Sequence, residues 1–285
     1  MNEIKFVADI GSNFNGSFYR CLALIDAAKE IGCWGIKIQL FQADKLYAPN
    51  HIPKGIKERE FPREWVHKIA DYCNNIDIKF GGTPFDLEAV EILKYYVDFF
   101  KISSFDILRH DLLKKCALYG NDLIVSIGMA TTEEILNSRK IIAMNKYGLN
   151  SSIYYLHCIS DYPTKLEDCR FGNIDALDKL FRYHKYITKI GWSDHTGNII
   201  AFYKAQMLNV SMIEFHLDLN DQLGWEFAYG HCYTPKMIGR TIYTMEQIDI
   251  ATDIQYWNPL TPEMEEKRAN RADPSDGLRP MKEIR

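Results

Sequence analysis

The chain has 285 residues, of which 47% are hydrophobic and 25% are charged, a balance typical of a globular protein with a buried core. Its formal net charge of −4 excludes a global basic field for nucleic acid or an anionic membrane, and no apolar run approaches the roughly 18 residues of a membrane span. Seven cysteines without CxxC spacing indicate reduced thiols, and the chain enters its first predicted strand without a signal peptide. The sequence therefore predicts a cytoplasmic protein with no nucleic-acid partner and no membrane partner.

Strand-like and helix-like segments alternate along the chain with short connections. The predicted strands are Lys5–Asp9, Gly35–Gln39, Ile78–Gly82, Phe99–Ile102, Leu123–Ser126, Ile153–His157, Lys189–Trp192 and Ser211–Phe215. The predicted helices are Phe18–Ile31, Arg63–Cys73, Asp86–Tyr95, His110–Leu118, Thr132–Lys146, Asn173–His184, Asn198–Leu208 and Pro235–Ile250. Asp86 can cap the third helix, and the segment from Thr131 to Glu134 has the pattern of a capping box for the fifth.

Eight strand–helix units over about 250 residues predict a single α/β domain of the TIM (β/α)8 barrel type. A doubly wound sheet is the alternative, but the glycines from Gly11 to Gly16 have the wrong spacing for a dinucleotide fingerprint. Residues 1–256 are predicted to form the barrel. Residues 257–285 are rich in proline and charge and are predicted to form an extended tail, with no second domain.

Polar residues follow or finish almost every predicted strand, where a barrel of this type carries its active site. They are Asp9, Lys37, Gln39, Thr83, Lys101, Ser103, Ser104, Ser126, Ser160, Tyr162, Ser193, His195, Glu214 and His216. A lysine inside a buried strand is costly unless an anion neutralises it. Lys37 and Lys101, together with the hydroxyls, therefore favour an anionic substrate, and internal salt bridges to Asp9 or Glu214 are the alternative.

Two histidines stand at the ends of neighbouring predicted strands. His216 follows Glu214 at the two-residue period of a strand, and His195 follows Ser193 in the same way, so each pair points to one side. Two imidazoles flanked by carboxylates make part of a divalent metal site with room for a substrate. Two unrelated histidines near a surface are the alternative, and His231 is a candidate for a third metal contact outside the preferred pair.

The strand-end motifs resemble those of the N-acetylneuraminate (sialic acid) synthase family, which condenses phosphoenolpyruvate with an amino-sugar aldehyde. The resemblance runs in order from about residue 5 to about residue 250 and covers the barrel, without the antifreeze-like C-terminal domain usual in the family. The matching segments are 8–16 (ADIGSNFNG), 36–39 (IKIQ), 83–86 (TPFD), 101–104 (KISS), 126–131 (SIGMAT), 156–163 (LHCISDYP), 193–196 (SDHT) and 214–216 (EFH).

The resemblance implies a role for each matching position. His195 and His216 would ligate Mn2+ or Mg2+, which polarises the sugar aldehyde as a Lewis acid. Asp9, Glu214 and Lys101 are the implied catalytic residues. The implied substrate-binding residues are Lys37, Gln39, Thr83, Ser104, Ser126, Ser160, Tyr162, Ser193 and Glu226. The implied partners are phosphoenolpyruvate and a sugar aldehyde, and a homodimer is possible.

Several positions depart from the family pattern. Asp9 stands where the family has a glutamate, Phe14 replaces a histidine, Phe215 replaces a basic residue, and Glu226 takes the acidic position of a Gly-x-Asp element. The alternatives to a sialic acid synthase-like enzyme are therefore an octulosonate- or heptulosonate-type synthase and a non-catalytic barrel that binds a sugar or a partner.

Overall fold

The structure is a computed structural model that describes residues 4–146, 151–182, 188–252 and 261–285. Its strands are β1 (Lys5–Asp9), β2 (Gly35–Leu40), β3 (Lys79–Pro84), β4 (Phe99–Ile102), β5 (Asp122–Ser126), β6 (Ile153–His157), β7 (Thr188–Asp194), β8 (Met212–Leu217) and β9 (Cys232–Tyr233). Its α-helices are α1 (Phe18–Glu30), α2 (Ala43–Leu46), α3 (Val66–Asn75), α4 (Leu87–Leu93), α5 (His110–Ala117), α6 (Thr132–Asn145), α7 (Gly172–Leu180), α8 (Ile200–Met207), α9 (Pro235–Thr252) and α10 (Pro262–Arg268).

The strands β1 to β8 pair in parallel in chain order, and β8 pairs back with β1, which closes the barrel. Asp9 lies opposite Lys37 on one side and opposite His216 on the other, so three titratable residues share one level of the barrel. The predicted TIM barrel is confirmed. The additional strand β9 was not predicted, and it pairs in parallel with β8 through His216 opposite Cys232.

The interior of the barrel is apolar in one layer and polar in the next. Its apolar layer is a buried cluster of Val7, Phe99, Ile124, Tyr154, Leu156 and Met212. Because side chains alternate along a strand, the residue two positions later points the same way. That step leads from Val7 to Asp9, from Phe99 to Lys101 and from Met212 to Glu214. The polar residues therefore form the layer next to the apolar layer inside the barrel. The larger core packs the outward strand faces against the helices.

Local sequence signals set several helix starts as predicted. Asp86 accepts a hydrogen bond from the backbone N–H of Ala89 and caps α4. Thr131 and Glu134 form a complete capping box at α6, in which each side chain bonds the other's backbone N–H.

Three boundaries differ from the prediction in ways that matter. Strands β7 and β8 extend past Trp192 and Phe215, so Ser193 and His216 lie within strands rather than in the following loops. Pairing with β9 prolongs β8, a long-range contact that no local pattern reveals. Helix α7 ends earlier than predicted, at Leu180, and the predicted end at residue 184 lies outside the described residues.

The chain divides into two compact units, residues 1–245 and 246–285. The predicted boundary at residue 256 lies outside the described residues. Part of the tail predicted to be extended is helical, because Thr261 caps α10 and Pro262 occupies its first turn. Within this unit Asp273 accepts hydrogen bonds from the backbone N–H groups of Ser275 and Lys282. Among the described residues, no helix has the length and apolar character required to cross a membrane.

Candidate active site

The first buried ion pair at the mouth of the barrel joins Lys37 to Asp9. Gln39 Nε2 donates to Asp9 Oδ2 at 2.8 Å, and Lys37 Nζ also lies 3.3 Å from the Thr83 hydroxyl. Burial favours the neutral acid, but the Lys37 ammonium and the nearby His216 together outweigh it and lower the pKa of Asp9. Burial likewise opposes the ammonium of Lys37, and the carboxylates of Asp9 and Glu214 raise its pKa overall. Both groups are therefore charged at neutral pH.

The second buried pair joins Lys101 to Glu214, with 2.9 Å between Nζ and Oε1. Ser193 Oγ donates to the same oxygen at 3.0 Å, while Glu214 Oε2 is buried without a hydrogen-bond partner among the described residues. Burial raises the pKa of Glu214, but Lys101 and Lys37 together lower it below its usual value. The internal salt bridges considered as the alternative for both lysines are thus present, and each ammonium group has three hydrogens with which to bind further oxygen atoms.

Hydroxyl groups line the wall formed by the ends of β4, β5 and β6. The hydroxyls of Ser104 and Ser160 are 2.8 Å apart. The Ser126 hydroxyl is buried and has no hydrogen-bond partner in the described part of the chain. A Cβ atom added at Gly128 would collide with Ser160 Oγ, so this position requires glycine for close packing. A buried hydroxyl without a partner is an uncommon and costly arrangement that a bound oxygen atom would relieve.

His195 lies on the loop that follows β7, with its ring centroid 4.2 Å from that of Tyr162 and 5.5 Å from that of His216. Its Nδ1 lies 2.7 Å from the carbonyl oxygen of Ile159, so Nδ1 carries the proton and donates, and Nε2 keeps a lone pair. Burial, followed by the neighbouring His216, lowers the pKa of His195 to about 3. The imidazole is consequently neutral at physiological pH, the form that can ligate a metal.

His216 faces two carboxylates. Its Nδ1 lies 2.9 Å from Glu226 Oε2, and its Nε2 lies 3.8 Å from Asp9 Oδ2. Burial lowers its pKa, but Asp9 and Glu226 outweigh burial and raise it. The other oxygen of Glu226 accepts from the backbone N–H of Ser12 at 2.6 Å and from its hydroxyl at 2.8 Å. Burial opposes the charge of Glu226, but the hydrogen bond with His216, the nearby imidazole of His231 and the backbone N–H of Ser12 hold its pKa well below the usual range.

His231 is the residue that the preferred sequence interpretation missed. It is 3% exposed, its ring centroid lies 4.7 Å from that of His216, and its Nε2 lies 3.8 Å from Glu226 Oε2. Its Nδ1 is buried without a hydrogen-bond partner among the described residues. One nitrogen or oxygen atom from each of His216, Glu226 and His231 lies within 4.8 Å of the others. The sequence signal was the short apolar pair Cys232–Tyr233 directly after His231, which is the strand β9.

The predicted residues meet at one end of the barrel as three connected groups. The first contains Asp9, Lys37, Gln39 and Thr83, the second Lys101, Ser193 and Glu214, and the third Ser104 and Ser160, while Ser126 at the end of β5 has no hydrogen-bond partner among the described residues. The histidines adjoin the first group, and Tyr162 borders them while remaining 39% exposed. Glu226 contacts His216 directly. The sequence analysis predicted a substrate-binding role for Glu226 and did not predict this contact with a histidine.

The departure at Phe14 has a clear structural consequence. Its ring is buried and packs edge-on against Phe61 at 5.2 Å and Trp65 at 6.2 Å, with Trp225 tilted at 6.3 Å. The position of the family's histidine is therefore part of an apolar aromatic cluster, and it provides no titratable group to the mouth.

A closed parallel barrel with buried lysines, hydroxyls and histidines at the C-terminal ends of its strands has the general layout of a TIM-barrel enzyme. The NeuB family model matches residues 24–230, which is more than half of the chain. The chain belongs to the NeuB family.

Individual relatives are consistent with this assignment. An uncharacterized protein of Methanocaldococcus jannaschii is 33% identical over 219 residues, covering 76% of this chain and 63% of that protein. A pseudaminic acid synthase of Campylobacter jejuni is 30% identical over 237 residues, covering 78% and 67%. The chain thus spans slightly less than two thirds of the length of the archaeal relative. A crystal structure of an N-acetylneuraminic acid synthetase from Leptospira borgpetersenii matches with a TM-score of 0.81 and 27% identity, covering 93% of this chain and 90% of that one.

Proposed function

We propose that this chain is a synthase that condenses phosphoenolpyruvate with a sugar aldehyde and releases a 3-deoxy-2-ulosonic acid and phosphate. The observation that carries the proposal is the barrel mouth, where Lys37 and Lys101 are buried and the hydroxyl of Ser126, also buried, has no hydrogen-bond partner in the described part of the chain. This combination suits a small, strongly anionic substrate. Membership of the NeuB family and the printed activities of the relatives support the same choice.

The two ammonium groups and the serine wall would bind the phosphate and carboxylate of phosphoenolpyruvate. Lys37 and Lys101 each already hold one carboxylate and have further N–H groups for the substrate. Ser104, Ser126 and Ser160 provide hydroxyls on the adjacent wall, with Ser193 beside Lys101 through Glu214. Fixed donors in a buried site can stabilise the negative charge that moves during the reaction.

The reaction forms one C–C bond between C3 of phosphoenolpyruvate and the aldehyde carbon. Water adds at C2, and the C–O bond to the phosphate breaks, so the phosphate leaves with the bonding electron pair. Asp9 remains ionised beside Lys37 and can accept a hydrogen bond or a proton from that water. Glu214 holds Lys101 and Ser193 in position, and its Oε2 atom is buried without a hydrogen-bond partner among the described residues.

A divalent metal ion fits the donors at this mouth. His216 and His195, the pair predicted from the sequence, are buried imidazoles, and His216 has a further histidine and a carboxylate within reach. Imidazole donors favour Mn2+ over Mg2+, which prefers oxygen ligands. When bound, the metal would polarise the aldehyde oxygen.

The relatives of this chain include synthases of pseudaminic acid, N,N'-diacetyllegionaminic acid and N-acetylneuraminate 9-phosphate. We therefore propose an amino-sugar or related aldose as the acceptor. The cytoplasm, where phosphoenolpyruvate is produced, is the proposed location. The homodimer stays a prediction from the family resemblance.

The proposal is tested by phosphate release from phosphoenolpyruvate with Mn2+ and a panel of aldoses: N-acetylmannosamine, an N,N'-diacetylated aminohexose, mannose and arabinose 5-phosphate. We expect release that depends on an unphosphorylated amino sugar, is lost in His216→Asn and is retained in His110→Asn, which changes an exposed histidine at the first residue of helix α5. Release only with arabinose 5-phosphate would favour the octulosonate-type alternative. Absence of phosphoenolpyruvate binding to the folded chain would favour the non-catalytic barrel.

A further inference from the structure

A groove between helices α8 and α9, outside the ring of strands, has no role in the proposed reaction. Its volume is about 530 Å3, within the range of about 300–1,000 Å3 that is usual for small-molecule sites. Gly197 and Asn198 contribute to its lining from the turn between β7 and α8, and the other lining residues lie at 199–203 and 236–244. All of them belong to the barrel unit, so the α8–α9 groove is complete within residues 1–245.

Two cations line the α8–α9 groove without an anionic partner. Lys236 and Arg240 are both exposed, and neither forms an ion pair with any described residue. They are four residues apart on α9, so they share one face of the helix, and like charges at this spacing destabilise a helix. None of the lining residues, all of which the structure describes, is acidic. A bound anion would remove the repulsion, so the charges favour a negatively charged ligand.

The polar groups of the groove suit a phosphate. A guanidinium offers N–H donors in a planar fork that can bond two phosphate oxygens at once, and an ammonium adds a second charge with three donors. Asn198 accepts a hydrogen bond from the backbone N–H of Ile200 at 3.0 Å through Oδ1. Its Nδ2 makes no hydrogen bond to any other described residue and is a further donor for the same ligand.

The rest of the lining calls for more than a phosphate. Tyr203 contributes a partly exposed aromatic side chain from α8, and its hydroxyl has no hydrogen-bond partner among the described residues. Ile199 and Met237 add apolar surface. A phosphate ion fills only a small part of this volume and makes no use of an aromatic face. Nucleobases stack on such faces whatever their sequence identity, so a ligand with a base and a phosphate matches both parts of the groove.

The groove also adjoins the turn that carries His195. The backbone N–H of Asn198 donates to Thr196 Oγ at 3.0 Å. The backbone N–H of Thr196 and the hydroxyl of Tyr233 both donate to Asp194, at 2.8 and 2.7 Å. A ligand that holds Asn198 therefore stabilises the 194–198 turn, and with it the segment that contains His195.

We propose that the α8–α9 groove binds a nucleoside phosphate, with Lys236 and Arg240 on the phosphate and Tyr203 against the base. Binding in this groove is independent of the proposed synthase reaction. It is measured without phosphoenolpyruvate, sugar or metal, so its failure would leave the synthase proposal unchanged. Failure of the synthase assay would likewise leave the groove unaffected.

The first test is calorimetric titration of the full chain with the four ribonucleoside monophosphates and with inorganic phosphate. We expect at least one nucleotide to bind about tenfold or more tightly than phosphate, because stacking of the base adds to the charge contacts. Lys236→Gln and Arg240→Gln should each weaken nucleotide binding by about tenfold or more. Tyr203→Leu should weaken nucleotide binding and leave the binding of phosphate unchanged.

The matched control is Lys68→Gln, which removes an exposed lysine on helix α3 and should not change nucleotide binding. Two results would overturn the proposal. One is that no nucleotide binds more tightly than inorganic phosphate at millimolar concentration. The other is that nucleotide binding is the same in the wild type, Lys236→Gln and Arg240→Gln.

The second test locates the nucleotide by amide hydrogen exchange. We expect slower exchange at residues 195–204 and 236–244 and little change at 101–104 and 126–131, which line the barrel mouth. Slowing confined to the mouth would mean that the nucleotide occupies the proposed phosphoenolpyruvate site, and the groove proposal would be wrong. If Tyr203→Leu does not fold, this exchange pattern and the exposed-residue variant Arg240→Gln still decide.

Discussion

Lys101 and Glu214 illustrate how single residues at the mouth combine stability with chemistry. Both side chains are almost completely buried, and their ion pair is linked to Ser193. A buried pair of this kind has a large desolvation cost that mutual attraction offsets, so removing one member leaves an uncompensated charge. The same ammonium group is the proposed phosphoenolpyruvate ligand. A substitution of Lys101 therefore affects both stability and substrate binding, and a second substitution at Glu214 is needed to separate the two effects.

We predict that Lys101→Met lowers the free energy of unfolding by about 3–5 kcal/mol because Glu214 remains buried without its partner. Adding Glu214→Leu should recover most of that loss, while phosphoenolpyruvate binding stays absent in both variants. Urea denaturation and calorimetric titration provide the two measurements. A double variant no more stable than Lys101→Met would show that the pair is not the source of the loss.

A second prediction concerns Gly128, where a Cβ atom would displace Ser160 from Ser104. Gly128→Ala should weaken phosphoenolpyruvate binding roughly tenfold and cost about 1–3 kcal/mol of stability through overpacking. Gly239→Ala is the matched control, because the nearest atom to its added Cβ is 3.5 Å away and the residue lies in helix α9. That control should stabilise the fold by about 0.5–1 kcal/mol and leave binding unchanged.

At the scale of elements, helix α1 and the loops after β1 and β8 are joined through Arg20. Its Nε donates to the carbonyl oxygen of Asn13 at 2.7 Å, and its terminal nitrogens donate to Asp218 at 2.6 Å and to Asp221. Asn13 in turn accepts from the backbone N–H of Glu226 at 2.8 Å and donates to the carbonyl oxygen of Leu217. This network places Glu226 beside His216, so the sequence of α1 helps to determine the geometry of a site built largely from β8 and its loop.

This network predicts a specific pH dependence. Hydrogen bonding from Arg20 lowers the pKa of Asp221 to about 2, below the value of about 3.9 in an unfolded chain. The pair therefore stabilises the fold above pH 4, and the contribution is lost as the pH falls through 2. Because the Asp221 side chain is 41% exposed, we expect Asp221→Asn to cost less than about 1 kcal/mol at pH 6. That difference should shrink towards zero near pH 2.

Chemical denaturation of the wild type and Asp221→Asn between pH 6 and pH 2.5 measures this difference. Asp71→Asn, at an exposed position of helix α3, serves as the control for replacing a surface aspartate. If the stability difference between the wild type and Asp221→Asn grew as the pH fell, the stabilising role given to the Arg20–Asp221 pair would be wrong.

At the scale of the whole molecule, the reactivity of the cysteine thiols indicates how readily the closed barrel opens. All seven are free and buried, and burial raises the pKa of Cys73 to about 12 and that of Cys169 to about 11. Thiolates are the reactive form, so both burial and pKa protect these groups.

We predict that Ellman's reagent labels fewer than one thiol per folded chain within minutes and all seven after denaturation. Fast labelling of several thiols in the native protein would show that the barrel opens far more readily than its packing indicates. Measurement with and without Mn2+ would show whether the metal reduces that opening.

The repeating strand–helix pattern was sufficient to predict the barrel, because strand and helix periods are local properties of the chain. It placed Phe99–Ile102 and Ile153–His157 at their observed bounds and found the caps at Asp86 and Thr131. The inward polar positions were predictable for the same reason, since the residue two steps beyond an inward apolar residue points inward as well. These predictions depend on spacing along the chain alone.

The sequence by itself therefore determined the fold class and the polar residues at the strand ends. Only the tertiary structure decided which of them are partners. Lys37 pairs with Asp9 and Lys101 with Glu214, and His216 meets Glu226 and His231 rather than His195 alone. The reason is physical: β9 pairs with β8 across a loop of irregular conformation, and the position of such a loop depends on long-range hydrogen bonds that no periodic pattern encodes.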